Sequence, residues 1–116
     1  MRKISKKNVE ILEKDPFMRE CCVPNCCSIP EWHHALIYSG RQVDEWWAII
    51  PLCRLHHREK LYFYYDLVKY NTMDYSVFWS IRRADDAGID LYKKYPKRNW
   101  DQMRKYYNSL FLNKKI

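Results

Sequence analysis

The chain has 116 residues, 47% of them hydrophobic and 30% charged, enough for one packed domain and too few for two independent cores. This balance argues against a disordered chain, and no apolar run approaches the ~20 residues that a membrane-crossing helix needs. The first residues, MRKISKKNVEIL, lack the apolar segment of a signal peptide, so a cytoplasmic chain is expected.

The net charge is +7 and is unevenly spread. Residues 1–20 hold 6 basic and 4 acidic groups, residues 21–58 hold 3 of each, and residues 59–116 hold 12 and 7. A neutral middle between basic flanks makes nucleic acid the leading partner class, because cationic surfaces displace counterions from phosphate backbones. Charge that merely keeps the protein in solution is the plainer reading of the same excess.

In chain order, Lys3 to Lys14 reads as a short amphipathic helix with Ile4, Val9, Ile11 and Leu12 apolar, broken at Asp15-Pro16. Trp32 to Tyr38 and Trp46 to Ile50 read as strands joined through Ser39-Gly40-Arg41. A helix is expected from about Leu55 through Tyr65, with Glu59 to Tyr70 continuing it. Asn71-Thr72 is a cap for a further helix over Tyr75 to Arg83, and Asp85-Asp86-Ala87-Gly88 is a break. Asp90 to Tyr95 makes another helical turn before Pro96, and Asn99 caps a last helix through about Leu112.

The five cysteines fall at 21, 22, 26, 27 and 53, and the four histidines in two adjacent pairs, His33-His34 and His56-His57. An odd cysteine count without a signal peptide argues against a disulfide framework. Thiols beside imidazoles point to zinc instead. Cys53 and His56 have the C-x2-H spacing that lets two ligands reach one tetrahedral ion. Their partners lie in Cys-Cys-Val-Pro-Asn-Cys-Cys, where Cys21 with Cys26 is the preferred pairing and Cys22 and Cys27 are substitutes. One of each vicinal pair should be spare, since neighbours on the chain bind one tetrahedral ion only with strain. The competing view is that these cysteines are small buried apolar residues. His33, His34 and His57 are then left over, which suggests a second metal centre plus a base.

These residues resemble a known pattern. Glu31-Trp32-His33-His34-Ala35-Leu36, a glycine-containing turn, and Ile49-Ile50-Pro51-Leu52-Cys53-Arg54-Leu55-His56-His57-Arg58-Glu59-Lys60 together resemble the HNH nucleases, in particular the zinc-stapled members common in phages and other mobile elements. The resemblance covers residues 20–62. It implies an α+β fold with a ββα-metal (HNH or treble-clef-like) core over 20–62 and a structural zinc, an N-terminal helix, and a helical C-terminal extension over 63–116, all in a single domain. It also implies a metal-dependent endonuclease acting on DNA, in a bacterial host cell. Matched by position, His33 is a ligand of the catalytic divalent ion, His34 the general base and His57 the second ligand. Cys21, Cys26, Cys53 and His56 would bind the structural zinc, with His56 in place of the family's second cysteine. Arg41, Arg54, Arg58 and Lys60 lie nearest for phosphate contact.

Two positions depart from the family. Its middle Asn would fall at Ala48, which has no hydrogen-bonding side chain, so the bracing of the hairpin passes to Asp44 or Glu45 or is lost. Its zinc knuckle carries Gly after the second Cys to permit positive φ, where this chain has Cys27 or Ser28.

The chemistry explains the residue types. Phosphodiester hydrolysis needs an attacking water, a sink for phosphoryl charge and help for the leaving 3′ oxygen. A histidine can accept the water's proton near neutral pH, and a divalent ion can serve as the Lewis acid. Two imidazole ligands leave coordination positions open and suit Mn, Ni, Co or Zn as well as Mg. Adjacent helical residues point about 100° apart, so His56 can face zinc while His57 faces the hairpin. On a regular strand, His33 and His34 would point to opposite faces, and both serve one site only if the strand bends or starts there.

In the tail, Lys93-Lys94-Tyr95-Pro96-Lys97-Arg98-Asn99-Trp100 and Arg104-Lys105-Tyr106-Tyr107 interleave cations with aromatics. They could grip phosphates and stack on bases, or be a helix with aromatics inside and cations in solvent. Tyr62 to Tyr65 read as packing residues. The alternatives to a nuclease are a non-catalytic zinc module that binds nucleic acid on the same scaffold, and a purely structural protein with satisfied histidines.

Overall fold

The computed structural model describes residues 4–58, 62–65 and 68–112, with side chains at all of them except 62–65 and 68–70. It is an α+β arrangement of three two-stranded sheets and five helices among the described residues.

Helix α1 (Lys6–Glu13) starts where Ser5 accepts a hydrogen bond from the Asn8 amide at 3.4 Å, satisfying one of the donors that a helix start leaves open. It ends before Asp15-Pro16, and a 3-10 turn (Pro16–Arg19) follows, capped by the Asp15 carboxylate on the Phe17 amide. This agrees with the helix and break expected there. Strand β1 (Pro30–His34) pairs antiparallel with β4 (Ile49–Cys53), in a register that sets Pro30 opposite Cys53, His33 opposite Ile50 and His34 opposite Ile49. Between them lies a tight hairpin, β2 (Ile37–Tyr38) and β3 (Arg41–Gln42), turned by Ser39 at φ 50° and Gly40 at φ 77°. Two successive left-handed residues are what a two-residue hairpin loop requires.

The strand expected at Trp46 to Ile50 is displaced. Trp46–Ala48 forms a 3-10 turn, closed by the Ala48 amide on the Glu45 carbonyl at 2.9 Å, and the strand runs Ile49–Cys53 instead. The turn drives Trp47 and Ala48 into the core, where both are fully buried, and all five residues of β4 are buried too. Pro51 tolerates its place because β1 lies on one side only. On the other, the Cys22 amide donates to the Pro51 carbonyl at 2.9 Å, so the cysteine loop covers an edge that a proline cannot extend.

Helix α2 (Arg54–Arg58) follows β4 without a break. The expected helical continuation through Tyr70 is corrected where the chain is described: β5 (Tyr62–Tyr65) and β6 (Val68–Asn71) form an antiparallel hairpin. Four consecutive aromatics at 62–65 favour a pleated strand over a helix, and Asn71 must itself be extended to cap the next helix. Among the described residues, the stretch expected to be helical from 63 onward therefore begins with paired strands before its helices.

Helix α3 (Thr72–Asp86) opens with the Asn71 side chain accepting from the Met73 amide at 2.8 Å and stops at Ala87, with Gly88 at φ 74°. Helices α4 (Leu91–Lys94) and α5 (Trp100–Phe111) are capped by Asp90 and Asn99. The main core joins Leu36, Val43, Trp47 and Ala48 to Ile81, Ala84, Leu91 and Trp100, so α3, α4 and α5 cover the hairpin loop and the 3-10 turn. A second cluster of Cys21, Val23, Leu52 and Cys53, flanked by Met73, Tyr75, Leu110 and Phe111, backs the cysteine loop. No helix of the described residues is long and apolar enough to cross a membrane.

Candidate metal centres

Cys21, Cys26, Cys53 and His56 come from three places, the cysteine loop, the end of β4 and the first turn of α2. Their ligand atoms all lie within 4.8 Å of one another. The separations are those of a tetrahedral site. With Zn–S near 2.3 Å and Zn–N near 2.0–2.1 Å, two sulfurs on one ion stand about 3.8 Å apart and a sulfur and a nitrogen about 3.5 Å. The Cys26 and Cys53 sulfurs are 3.9 Å apart, and His56 Nδ1 lies 3.5 Å from Cys21 Sγ and 3.2 Å from Cys53 Sγ. The cluster could thus hold a metal such as zinc. Burial pushes the Cys21 thiol up to about 12, so without a cation this buried sulfur keeps its proton. Cys26, by contrast, is held below its ordinary value, because hydrogen bonds to the Ser28 amide and hydroxyl and to its thiol neighbours outweigh its burial.

The spare members of each vicinal pair stand apart from this quartet. Cys22 is half-buried and Cys27 exposed. The positive φ expected after the second ligand cysteine falls before it instead, at Asn25 with φ 66°. Asn is among the residues that enter the left-handed region most readily. The Cys26 amide closes the loop on the Val23 carbonyl at 3.1 Å.

Some 24 residues apart in sequence, His33 on β1 and His57 on α2 meet, with Nδ1 and Nε2 at 3.1 Å and ring centroids 4.6 Å apart. Two nitrogens on one ion at 2.0–2.1 Å each are separated by about 3.0–3.4 Å. Behind the pair, His57 Nδ1 donates to Glu31 Oε1 at 2.9 Å, and the Arg58 Nε grips both carboxylate oxygens at 3.0 and 3.1 Å. A carboxylate accepts only, so Nδ1 carries the His57 proton and Nε2 turns its lone pair toward His33. The Arg58 contact, with the His57 N–H, holds the Glu31 carboxyl below its ordinary value. Burial first, then the charges of His57 and His34, lowers His33 to about 4, so its imidazole is neutral and available as a ligand. Glu31 was assigned no role from sequence. The signal was present, since residues i and i+2 of a strand share a face, and Glu31 and His33 are so placed.

His34 is not part of that pair. Its side chain is only 2% exposed, and Nε2 lies 3.3 Å from Asp44 Oδ1. The strand runs in regular register through His34, and the two adjacent imidazoles take different partners. Of the two residues considered as a brace, Asp44 reaches His34, while Glu45 accepts from Lys94 Nζ at 3.1 Å and the Tyr95 hydroxyl at 3.3 Å.

Among the cationic residues, Arg41 on β3 and Arg54 at the start of α2 are exposed, Arg58 is spent on Glu31, and Lys60 lies outside the described residues. In the tail, several groups pack or pair within the fold. Trp100 is buried and donates to the Tyr95 carbonyl at 2.9 Å, Arg98 reaches the Ile37 carbonyl at 2.6 Å, and Arg104 pairs with Asp85 and Asp101. The side chains of Tyr62 to Tyr65 lie outside the described residues. Comparison with protein-family models, curated proteins and solved structures found no match to this chain.

Proposed function

We propose that the protein is a metal-dependent DNA endonuclease of the HNH type, with β1, β4 and α2 as a ββα-metal unit. In this reading zinc on Cys21, Cys26, Cys53 and His56 is structural, and His33 and His57 hold a catalytic divalent ion. The observation that carries it is the 3.1 Å approach of His33 Nδ1 and His57 Nε2 with Glu31 fixing the second ring from behind. A histidine pair kept for packing has no need of a carboxylate that turns the His57 Nε2 lone pair toward its partner ring. An ion bound there supplies the Lewis acid for the scissile phosphate and the departing 3′ oxygen. In this reading His34 takes the proton of the attacking water although its ring faces Asp44 rather than the His33–His57 pair, Glu31 orients His57, and Arg54 and Arg41 offer exposed charge to the DNA backbone. Mg, Mn, Ni or Zn all suit two imidazoles with open positions.

A second reading, a non-catalytic zinc module that binds nucleic acid, draws support from the burial of His34 and from Ala48 at the family's Asn position. Nicking of supercoiled plasmid, with EDTA and metal add-back, separates the two. The nuclease reading expects EDTA to stop the reaction and a divalent ion to restore it. It also expects His34→Ala to lose on the order of 10²–10⁴ in rate, the usual contribution of a general base, with zinc content unchanged. Retention of DNA without strand scission under any ion supports the binding module, and a His34→Ala protein that cuts like wild type removes His34 as base.

A further inference from the structure

Asp44 joins two elements, β1 and α1, through three different atoms. Its Oδ1 faces His34 Nε2 at 3.3 Å, its Oδ2 accepts from the Ser5 amide at 3.1 Å, and its backbone carbonyl accepts from Asn8 Nδ2 at 2.7 Å. Ser5 is the cap of α1 and Asn8 is buried in its first turn, so the amino end of α1 is tied to the loop after β3 and, through it, to β1. A buried imidazole N–H needs an acceptor, and an ionised carboxylate can only accept. Asp44 is kept ionised here. Burial pushes its carboxyl up, but the hydrogen bonds from His34 and the Ser5 amide outweigh this and hold it below its ordinary value. The helix dipole favours an anion at the same end of α1.

We propose that Asp44 is a positioning residue for His34: its carboxylate holds the imidazole in the Nε2–H form and anchors it to α1, leaving Nδ1 as the nitrogen that takes a proton. The proton-accepting role rests on the nuclease reading; the tautomer and the anchor do not. The N-terminal helix then belongs to the working site although it contributes no ligand to either cluster. An Asp kept only for shape would be replaced by Asn at little cost. In an Asn, however, the fixed Ser5 N–H claims the single oxygen and leaves the amide N–H, a donor, facing Nε2, which would drive the ring to the opposite tautomer.

The test is a long-range proton–nitrogen correlation spectrum of the His34 ring in the full-length zinc-loaded protein, wild type and Asp44→Asn, beside plasmid nicking with Mn²⁺. Wild type should show Nε2 protonated and Nδ1 bare. Asp44→Asn should show the reverse and nick on the order of 10²–10⁴ slower, with His33 and His57 still binding the ion. A wild-type ring protonated at Nδ1, or an Asp44→Asn protein that keeps the tautomer and the rate, overturns the proposal. If wild type nicks with no ion, the nuclease reading falls and the ring spectra alone decide the role of Asp44. Should Asp44→Asn fail to fold, the wild-type spectrum still decides, because the Nδ1–H form contradicts the assignment.

Discussion

The two metal-type clusters both draw on α2 and differ in the number of donors they present. In one, three sulfurs and one nitrogen close around a point, backed by the apolar cluster of Val23 and Leu52. In the other, two nitrogens converge, and the nearest carboxylate is spent on the far side of one ring. Four protein donors saturate a tetrahedral ion and leave it only a structural role, whereas two leave room for water and phosphate. The same short helix supplies both, because His56 and His57 are one residue apart and about 100° round its axis. A single extra donor at either place would change what that place can do.

Removing the closed cluster should have the largest effect. Cys53→Ala, or stripping with a strong chelator, should abolish the cooperative thermal transition seen by circular dichroism. Structural zinc contributes on the order of 10 kcal/mol to folding in small domains, more than a domain of this size has to spare. A mutant melting within a few degrees of wild type would deny the cluster its structural role. Leu52→Ala comes next. It leaves a cavity against Cys21 and Cys53 and should cost about 2–5 kcal/mol in denaturant unfolding, with the His33–His57 pair still able to bind an ion.

Glu31→Gln should act on the open pair alone. Loss of an orienting carboxylate typically weakens a metal site about 10–100-fold, read here by calorimetric titration with Mn²⁺ or Ni²⁺. Stability should stay close to wild type, because an exposed ion pair contributes little to folding. A large loss of stability with unchanged affinity would reverse the two assignments. The smallest effect belongs to Cys27→Ser. The side chain is exposed and outside the quartet, so zinc content should stay the same and stability within about 0.5 kcal/mol.

Local chemistry in the sequence was enough to find the capped ends of the helices. Asn71 and Asn99 each carry an oxygen that can take an amide of the first turn, and each does; Ser5 does the same inside the stretch read as helix from Lys3, so α1 starts later than expected. The quartet of three cysteines and one histidine was legible for the same kind of reason, since C-x2-H spacing and a cysteine loop constrain geometry over a few residues. What escaped depends on distant partners. Trp46–Ala48 has the side chains of a strand, but burial of Trp47 and Ala48 under α3 holds it as a turn. The pairing of Tyr62–Tyr65 with Val68–Asn71 was hidden because apolar residues that follow a helical stretch read equally as its continuation. Asp44 could be named as a candidate brace, but its tie to α1 spans 36 to 39 residues of sequence, beyond any local pattern.

If one closed and one open metal centre share this chain, as proposed, they should hold their ions with different strength. Native mass spectrometry of the folded protein, before and after dialysis against a mild chelator, with His57→Ala in parallel, tests it most directly. Two ions per wild-type chain are expected, one surviving dialysis and one exchanging, and His57→Ala should keep only the first. A single ion in both proteins, indifferent to His57, would contradict the account.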